Sequence, residues 1–524
     1  MFGSKYLDAV ELQAQRVPDR LVFFNSAGER LSYAELSARS SALACWLADE
    51  RNLTPGVPVV LYGHKAPEML VGIFACAKAG HPYAPIDTVY PADRVANIIE
   101  QIGDTLVLDT AGSFDWGALA LDDAPRVLGP EQIQQLCAQV PNAEDVAALP
   151  GKRPQDTFYI IFTSGSTGTP KGVEVSSECV DGFLAWLSED YAFAEEGHRV
   201  WFNRAAYSFD LSVTDLVYAP AHGDTCFALA EEAEGSLALT FQALAESGMT
   251  DWVSTPSFLD QCLADSSFGS ELLPQLKRML FVGETLRPAT VRGAKERFAG
   301  IHVYNGYGPT ESTDFVSLCE IDDEMLADDK PLPVGYAMPG VRLVVLDPET
   351  LEEKPVGEPG ELFIVGHTVA KGYYKRPDLT QAAFHSCPER VAQGSKSYRT
   401  GDEVTLSPSG LYYFHGRLDL QIKLHGFRIE LGDIEACLCA LPQVHMACVL
   451  PVVRDGVIHH LCACVVPDAA TELRGLRLSR QLKEGLAETL PAYMIPTQFK
   501  YLDVLPLNQN GKADRKALAA LIEA

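Results

Sequence analysis

The sequence lacks both a long apolar run and an excess of positive charge. No stretch of about 18 apolar residues occurs, so no membrane-spanning helix is expected. The opening residues MFGSKYLDAVELQAQ also lack the apolar core of a signal peptide. The 42 basic residues are outnumbered by 70 acidic ones, which gives a formal charge of −28. Because a phosphate backbone attracts a basic surface, this balance excludes non-specific binding to nucleic acid.

Paired cysteine motifs are also missing. None of the 13 cysteines forms a Cys-x-x-Cys motif, which would indicate a zinc or redox site. The alternate spacing of Cys437 with Cys439, and of Cys462 with Cys464, is typical of buried strand residues. A length of 524 residues also argues against a disulfide-stapled secreted module. We therefore expect a protein of the reducing cytoplasm.

The sequence does contain the pattern of a large α/β protein. Its 524 residues, 47 % of them apolar, are enough for about three or four structural units with a sizeable core. Through residues 6–308, short β-rich runs alternate with helical patterns, which favours parallel sheets with crossover helices. Ligands bind at the carboxyl ends of the strands in such sheets.

Two changes of pattern divide the rest of the chain. From about Pro331, segments such as GELFIVG at 360–366 are typical of antiparallel strands or a small barrel. After the segment 416–419, apolar strands combine with one amphipathic helix over about 105 residues, enough for a small α+β domain. The predicted fold class is α/β, with a large N-terminal region of several subdomains, parallel sheets and a small barrel-like subdomain, and then the small C-terminal domain.

A loop rich in glycine and hydroxyl groups follows the buried run FYIIF. Glycines let a backbone approach an anion closely, and hydroxyls and N–H groups wrap phosphate oxygens. The loop is not a Walker A motif, because its lysine is followed by glycine. Composition alone favours a flexible surface loop, but the full string TSGSTGTPKG directly after a buried strand favours phosphate binding. The candidate phosphate-binding residues are Thr163, Ser164, Gly165, Ser166, Thr167, Gly168 and Lys171.

This loop and six further motifs, in the expected order, resemble those of the adenylate-forming superfamily, which includes acyl-CoA synthetases, luciferases and the adenylation domains of peptide synthetases. The resemblance covers essentially the whole chain. It implies an N-terminal domain of residues 1–418 and a mobile C-terminal domain of residues 419–524. The motifs are YSFDLS (207–212), YNGYGPTES (304–312), GELFIVGHTVAKGYY (360–374), YRTGDE (398–403), GRLDLQIKLHGFRIELGDIE (416–435) and PLNQNGKADRKAL (506–518).

The resemblance implies a first half-reaction in which a carboxylate attacks the α-phosphorus of ATP, giving an acyl-adenylate and pyrophosphate. The protein must position two anions and spread their charge. Lys512 matches the catalytic lysine of the family, which contacts the substrate carboxylate and ATP oxygens. Glu311 matches the Mg²⁺ ligand, a hard oxygen donor suited to that ion, and Thr310 would hydrogen-bond the α-phosphate.

The nucleoside would be held by two other motifs. Tyr307 matches the residue whose ring faces adenine, and Asn305 would present its amide to the base edge, with Gly306 between them. Asp402 would accept hydrogen bonds from the ribose hydroxyls, assisted by Arg417.

The second half-reaction that the resemblance implies is attack by a phosphopantetheine thiol after the C-terminal domain has rotated. Asp419 matches the hinge position, and Lys423 and the stretch LHGFRIE would face the thiol tunnel. Gly426 would let the pantetheine arm pass close to the backbone. An ordinary turn glycine is the alternative interpretation of Gly426.

Asp210 indicates the class of carboxylate. Amino-acid-activating members of the superfamily carry an aspartate there to pair with the substrate α-ammonium, whereas aryl-acid and fatty-acid members lack it. A buried carboxylate needs such a cationic partner. Branched and aromatic residues crowd the remaining pocket positions, which suits a small substrate. The candidate substrate-binding residues are Asp210, Leu211, Thr214, Val253, Leu280, Val282, Gly306, Asp314 and Phe315.

Within the superfamily, YSFDLSVTDLVY, VSTPSFLDQC and KLHGFRIEL are most similar to the D-alanine:D-alanyl carrier protein ligases. That subgroup has Cys in the sequence F-C-G-E, where this chain has Val282, and an apolar residue where this chain has Asp314. The identity and the stereochemistry of the substrate therefore stay open. Asp314 either meets a second polar or cationic substrate group or points out to solvent.

The expected activity is ATP-dependent activation of a small amino acid, D-alanine or similar, and its transfer to a carrier protein. We expect a separate carrier, because no phosphopantetheine-bearing segment follows Lys512 in the sequence. The alternatives are an acyl-CoA synthetase, which Asp210 argues against, and activation of another polar or diamino acid for natural-product synthesis. A non-catalytic homologue would have lost residues such as Glu311 or Asp402, and a dehydrogenase would have a GxGxxG motif after an early strand.

Overall fold

The structure is a computed structural model that describes residues 2–49, 51–119, 121, 124–163, 170–189, 193, 197–454, 457–471, 473–506 and 513–523. The strands are β1 Leu21–Asn25, β2 Arg30–Ser32, β3 Val59–Tyr62, β4 Tyr83–Ile86, β5 Leu106–Asp109, β6 Arg126–Leu128, β7 Thr157–Thr163, β8 Lys171–Ser176, β9 Val200–Asn203, β10 Thr225–Ala228, β11 Asp251–Ser254, β12 Arg278–Phe281, β13 His302–Tyr307, β14 Ser317–Glu320, β15 Tyr336–Ala337, β16 Val341–Leu346, β17 Pro359–Gly366, β18 Gly372–Tyr373, β19 Ser397–Leu406, β20 Tyr412–Arg417, β21 Gln421–Leu424, β22 Phe427–Glu430, β23 Val444–Arg454, β24 Val457–Pro467 and β25 Gln498–Tyr501.

Helices connect most of these strands, and none in the described part of the chain is both long and apolar enough to cross a membrane. The helices are α1 Lys5–Arg16, α2 Tyr33–Leu47, α3 Pro67–Lys78, α4 Ala92–Ile102, α5 Pro130–Cys137, α6 Ala143–Ala147, α7 Ser177–Glu189, α8 Ser212–His222, α9 Glu231–Glu234, α10 Leu237–Ser247, α11 Pro256–Leu263, α12 Pro288–Arg297, α13 Pro377–Phe384, α14 Glu389–Ala392, α15 Leu431–Ala440, α16 Gly475–Thr489 and α17 Arg515–Glu523.

Two mixed sheets form the N-terminal region. Their strand orders are β15–β14–β13–β12–β11–β9–β10–β1–β2 and β18–β8–β7–β4–β3–β5–β6. In the first, β13, β12, β11, β9, β10 and β1 are parallel neighbours, and in the second β3 pairs in parallel with β4 and β5. Strands such as β3 and β11 are buried along their whole length, as strands covered on both faces must be. The expected parallel sheets are confirmed.

A third sheet, β16–β17–β19–β20, is antiparallel throughout. The sequence pattern did not decide between antiparallel strands and a small barrel for this region. The sheet does not close, since no pairing joins β16 to β20 within the described residues. The barrel-like subdomain is therefore an open antiparallel sheet.

The C-terminal part has its own apolar core. The hairpin β21–β22 precedes a sheet in which β23 and β24 are antiparallel and β25 runs parallel to β24. Helices α15 and α16 cover it through a cluster that includes Ile434, Leu461 and Leu482. Cys462 and Cys464 are buried in β24, as the spacing predicts. Cys437 and Cys439 lie in α15, where Cys437 is half-buried and Cys439 exposed, so the interpretation of that pair as buried strand residues is wrong.

Candidate active site

The carboxyl ends of four parallel strands bring most of the motif residues to one edge of the larger sheet. The segment after β9 carries Asp210, Thr255 follows β11, and Val282 follows β12. Asn305 lies in β13, beside Phe281 of β12. Because these strands are adjacent and parallel, their ends form one surface, which is where ligands bind in such sheets.

The ends of the predicted phosphate loop are fixed by strand pairing. Thr163 ends β7 opposite Lys171, the first residue of β8. The ammonium of Lys171 lies 3.6 Å from Glu430 Oε1 and 5.6 Å from the ring centre of Tyr373. A cation is therefore held at the base of the loop. Ser164, Gly165, Ser166, Thr167 and Gly168 lie outside the described residues.

The predicted nucleoside residues form one hydrogen-bonded group. The hydroxyl of Tyr307 donates to Asp402 Oδ2, and Arg417 Nη1 donates to Asp402 Oδ1 at 2.8 Å. Arg417 also donates to Asp419, the predicted hinge residue, at 2.7 Å. Asn305 donates its side-chain amide to the carbonyl of Pro333 at 2.7 Å, so its nitrogen is engaged by the protein.

A cavity of about 500 Å³ lies beside this group. Its walls include Gly306, Tyr307, Asp402 and Arg417 from the N-terminal region and Ile458 from β24. Its size is that of a pocket for a drug-sized or nucleotide-sized ligand. The predicted nucleoside residues thus border an open space between the two parts of the chain.

Glu311 is completely buried and forms an ion pair with the C-terminal part. Arg428 Nη1 donates to Glu311 Oε2 at 2.7 Å and Oε1 at 2.9 Å, and the Tyr373 hydroxyl donates to Oε1 at 2.6 Å. Burial opposes ionisation, but the guanidinium and the hydroxyl outweigh it and hold the pKa of Glu311 at about 2. In this arrangement the carboxylate is ionised at neutral pH and accepts a cation.

Two carboxylates, Asp210 and Asp314, share a second, small cavity. The cavity measures about 30 Å³, and Lys423 also lines it. Asp210 is 7 % exposed and Asp314 is 2 % exposed, so Asp314 does not point out to solvent. Burial raises the pKa of Asp210. The Thr310 hydroxyl and the Lys423 ammonium partly offset this rise. Burial, and next the charge of Asp210, raises the pKa of Asp314 well above its usual range.

The other predicted pocket residues divide into those on this cavity and those behind it. Leu211 and Val282 line it together with the two carboxylates. Gly306 lines the larger cavity instead. Thr214, Val253, Leu280 and Phe315 are buried but line neither cavity in this arrangement.

The hairpin β21–β22 reaches the site from the C-terminal part. The backbone N–H of Gly426 donates to Glu284 Oε1 at 2.7 Å. Gly426 has φ +83°, and a Cβ there would lie 2.5 Å from Thr255 Cγ2. A side chain would therefore require strained backbone and movement of Thr255. This contact supports the interpretation that the absence of a side chain at Gly426 lets another group pass close to the backbone.

Sequence reasoning gave no individual role to Glu284 or Arg428, although both lie in quoted strings. Both bind the hairpin to the N-terminal region, and only the three-dimensional contact identifies them. Lys512 lies outside the described residues. Its neighbour Ala513 packs with Cys448, Leu505 and Leu518 of the C-terminal part.

Comparisons with known proteins cover the same motifs. The family model of the AMP-binding enzyme matches residues 10–374, and that of the AMP-binding enzyme C-terminal domain matches residues 433–512. The chain is 41 % identical to a D-alanine–D-alanyl carrier protein ligase of Bacillus licheniformis over 516 residues, 98 % of this chain and 99 % of the relative. A ligase of the same name from Bacillus cereus is 37 % identical over 529 residues, 99 % of this chain and 100 % of the relative.

A solved structure has the same overall fold. It is NpsA-ThdA, an artificially fused adenylation-PCP di-domain NRPS from Klebsiella oxytoca, with a TM-score of 0.81 and 25 % identity. The match covers 100 % of this chain and 97 % of that one. The large N-terminal and smaller C-terminal parts therefore follow the architecture of adenylation enzymes.

Proposed function

Because the chain belongs to the family of AMP-binding enzymes, we propose that it is a ligase that activates a small amino acid with ATP. The aminoacyl group would then pass to the phosphopantetheine thiol of a separate carrier protein. The buried carboxylate of Asp210 beside Thr310 carries this proposal, because a substrate ammonium supplies the cation that such a group requires. The names of the relatives support a carrier protein as acceptor and D-alanine or a similar amino acid as substrate.

In the proposed first step, a carboxylate oxygen of the amino acid attacks the α-phosphorus of ATP. The new O–P bond forms as the bond to pyrophosphate breaks, and pyrophosphate leaves with the electron pair. Asp210 would orient the α-ammonium, Thr310 would hydrogen-bond the α-phosphate, and Lys512 would stabilise the charge on the reacting oxygens. Lys171 and the loop that precedes it would hold the distal phosphates.

Glu311 fits the role of a Mg²⁺ ligand. It is a buried, ionised oxygen donor that binds a cationic side chain in this arrangement, and Mg²⁺ in phosphoryl sites often takes one carboxylate together with phosphate oxygens. The described residues contain no cluster of three metal-ligating side chains, so the phosphates would complete the coordination. When bound, the ion would neutralise phosphate charge.

In the proposed second step, the thiol sulfur attacks the acyl carbon. A thioester bond forms as the bond between the acyl carbon and the AMP oxygen breaks. AMP leaves with the electron pair, and the thiol proton is released to solvent. The proposed second step requires the β21–β22 hairpin to lie at the site. The position of Gly426, in contact with Thr255 and Glu284, agrees with this requirement. Tyr307, Asp402 and Arg417 would hold the nucleoside in both steps. The use of ATP and a free thiol supports a cytoplasmic location.

An acyl-CoA synthetase activity is the second candidate. Its acceptor thiol belongs to coenzyme A and has the same pantetheine arm, so the contacts of Gly426 agree with either acceptor. Asp210 favours the amino-acid ligase over the acyl-CoA synthetase, because a simple fatty or aryl acid has no ammonium to neutralise this carboxylate.

Amino-acid-dependent exchange of pyrophosphate into ATP tests the proposal. The panel should contain both alanine enantiomers, glycine, both serines, β-alanine and small diamino acids, with acetate and benzoate as controls. Exchange with an amino acid and none with the controls is the expected result. Exchange with acetate or benzoate alone would favour the acyl-CoA synthetase.

Replacing Gly426 with alanine is expected to slow aminoacyl transfer by about tenfold while adenylate formation stays near the wild-type rate. A left-handed conformation costs an alanine roughly 1–2 kcal/mol, and its Cβ would meet Thr255. Single-turnover transfer to a carrier protein, compared with pyrophosphate exchange, measures the two steps separately. Gly410 has φ +87° with no atom closer than 3.7 Å to such a Cβ, so Gly410→Ala is the matched control. Equal slowing by both variants would contradict the role of Gly426.

A further inference from the structure

Asp314 is the feature of the pocket that the proposed function does not use. Its carboxylate is buried, lines the same cavity as Asp210, and accepts a hydrogen bond at Oδ2 from the hydroxyl of Thr214. Thr214 itself does not line the cavity. The threonine therefore holds Asp314 from behind, and no described residue donates a hydrogen bond to Oδ1.

Most of the basic side chains at the cavity are already paired with other carboxylates. The basic side chains among the described residues that line it are Arg417, Lys423 and Arg428. Arg417 is paired with Asp402 and Asp419, and Arg428 is paired with Glu311. Lys423 is left to face both Asp210 and Asp314.

Lys423 lines the cavity but is carried by the hairpin of the C-terminal part. Burial lowers its pKa, and the charge of Asp210 is the strongest opposing influence. If the C-terminal domain rotates between the two steps, as the resemblance implies, this ammonium is absent when the amino acid is activated. A single α-ammonium would then neutralise one of two adjacent buried carboxylates, and the other would have to take up either a proton or a second cation.

A neighbouring hydroxyl shows the same lack of partners. Tyr159 is 1 % exposed, and its hydroxyl has no hydrogen-bond partner among the described residues. Burial raises the pKa of Tyr159 well above its usual value, and the charges of Asp210 and Asp314 add to the effect. Buried polar groups are normally hydrogen-bonded, so this unpaired hydroxyl is a further polar group behind the two carboxylates.

We infer that the amino acid carries a second ammonium group on a short side chain, and that this group pairs with Asp314 while the α-ammonium pairs with Asp210. The inference rests on the proposed function and specifies its substrate class. The cavity is small, about 30 Å³, which favours a short side chain. 2,3-Diaminopropionate and 2,4-diaminobutyrate have this chemistry.

The wild-type enzyme provides the first test. Pyrophosphate exchange is measured with each enantiomer of the two diamino acids and with alanine and serine. The expected result is a kcat/KM at least about 100-fold higher for a diamino acid than for alanine. Equal or better use of alanine or serine overturns the inference but leaves the proposed function intact. Absence of exchange with every amino acid instead rejects the proposed function.

Asp314→Asn provides the second test, because it removes the charge and keeps the shape. The ratio of kcat/KM for the diamino acid to kcat/KM for alanine is expected to fall about 100-fold. Asp215→Asn is the matched control: Asp215 is also buried in this region, accepts a hydrogen bond from Asn203 and does not line the cavity. Loss of exchange with alanine and diamino acids in equal proportion, or the same change of preference in Asp215→Asn, overturns the assignment.

Discussion

The Asp210→Ala variant is expected to have a KM for the amino acid that is roughly 100-fold or more above that of the wild type. Asp210 is buried at the small cavity, and loss of one member of a buried ion pair costs about 3–5 kcal/mol. The substrate ammonium would enter the pocket without its counter-charge. Initial rates of pyrophosphate exchange over a wide range of amino-acid concentrations measure the effect.

The KM for ATP is the internal control for this variant, because the proposed role of Asp210 is to pair with the amino acid and not with the nucleotide. It should change less than about threefold. Asp210→Asn keeps the shape of the side chain and removes its charge, and should behave like the alanine variant. An amino-acid KM that is unchanged in both variants would refute the pairing.

Replacing Lys512 with alanine is expected to slow adenylate formation by at least about 100-fold, the usual effect of removing one group that stabilises developing charge. Transfer from a supplied aminoacyl-adenylate should survive, because in the proposed second step the hairpin, and not Lys512, would lie at the site. Both rates can be measured by rapid quench, with and without preformed adenylate.

Lys516→Ala is the matched control for this variant. Lys516 lies in the same sequence motif, at an exposed position of α17. It should leave both half-reactions near the wild-type rates. If Lys512→Ala slowed both half-reactions equally, the lysine would not be specific to adenylation.

The sequence predicts the fold class well because the strand patterns are local. Runs such as TFYIIF and RMLFVG form the buried strands β7 and β12, and their order predicts parallel sheets. Closure of the small subdomain was not predictable, because it depends on pairing between strands distant in sequence. The same limit applies to Cys437 and Cys439, where alternate spacing agrees with a strand but tertiary packing favours a helix.

The candidate site was predictable as a set of motifs but not as a set of contacts. Motif order indicated Glu311 and Gly426, yet their partners Arg428 and Glu284 lie more than a hundred residues away in the chain. The direction of Asp314 was also open, because the residue has φ +65°, a conformation in which strand and helix periodicities no longer indicate the buried face. The roles assigned to individual residues, and the boundary between residues 418 and 419, stay predictions.

The ion pair between Arg428 and Glu311 has a consequence for the timing of the reaction. If Glu311 is the carboxylate that must receive a metal ion with the nucleotide, the guanidinium has to withdraw before a new molecule of ATP is engaged. The enzyme then cannot start a second round of activation while an earlier aminoacyl group still awaits its acceptor. A single carboxylate, available to one cation at a time, would keep ATP consumption in step with product formation.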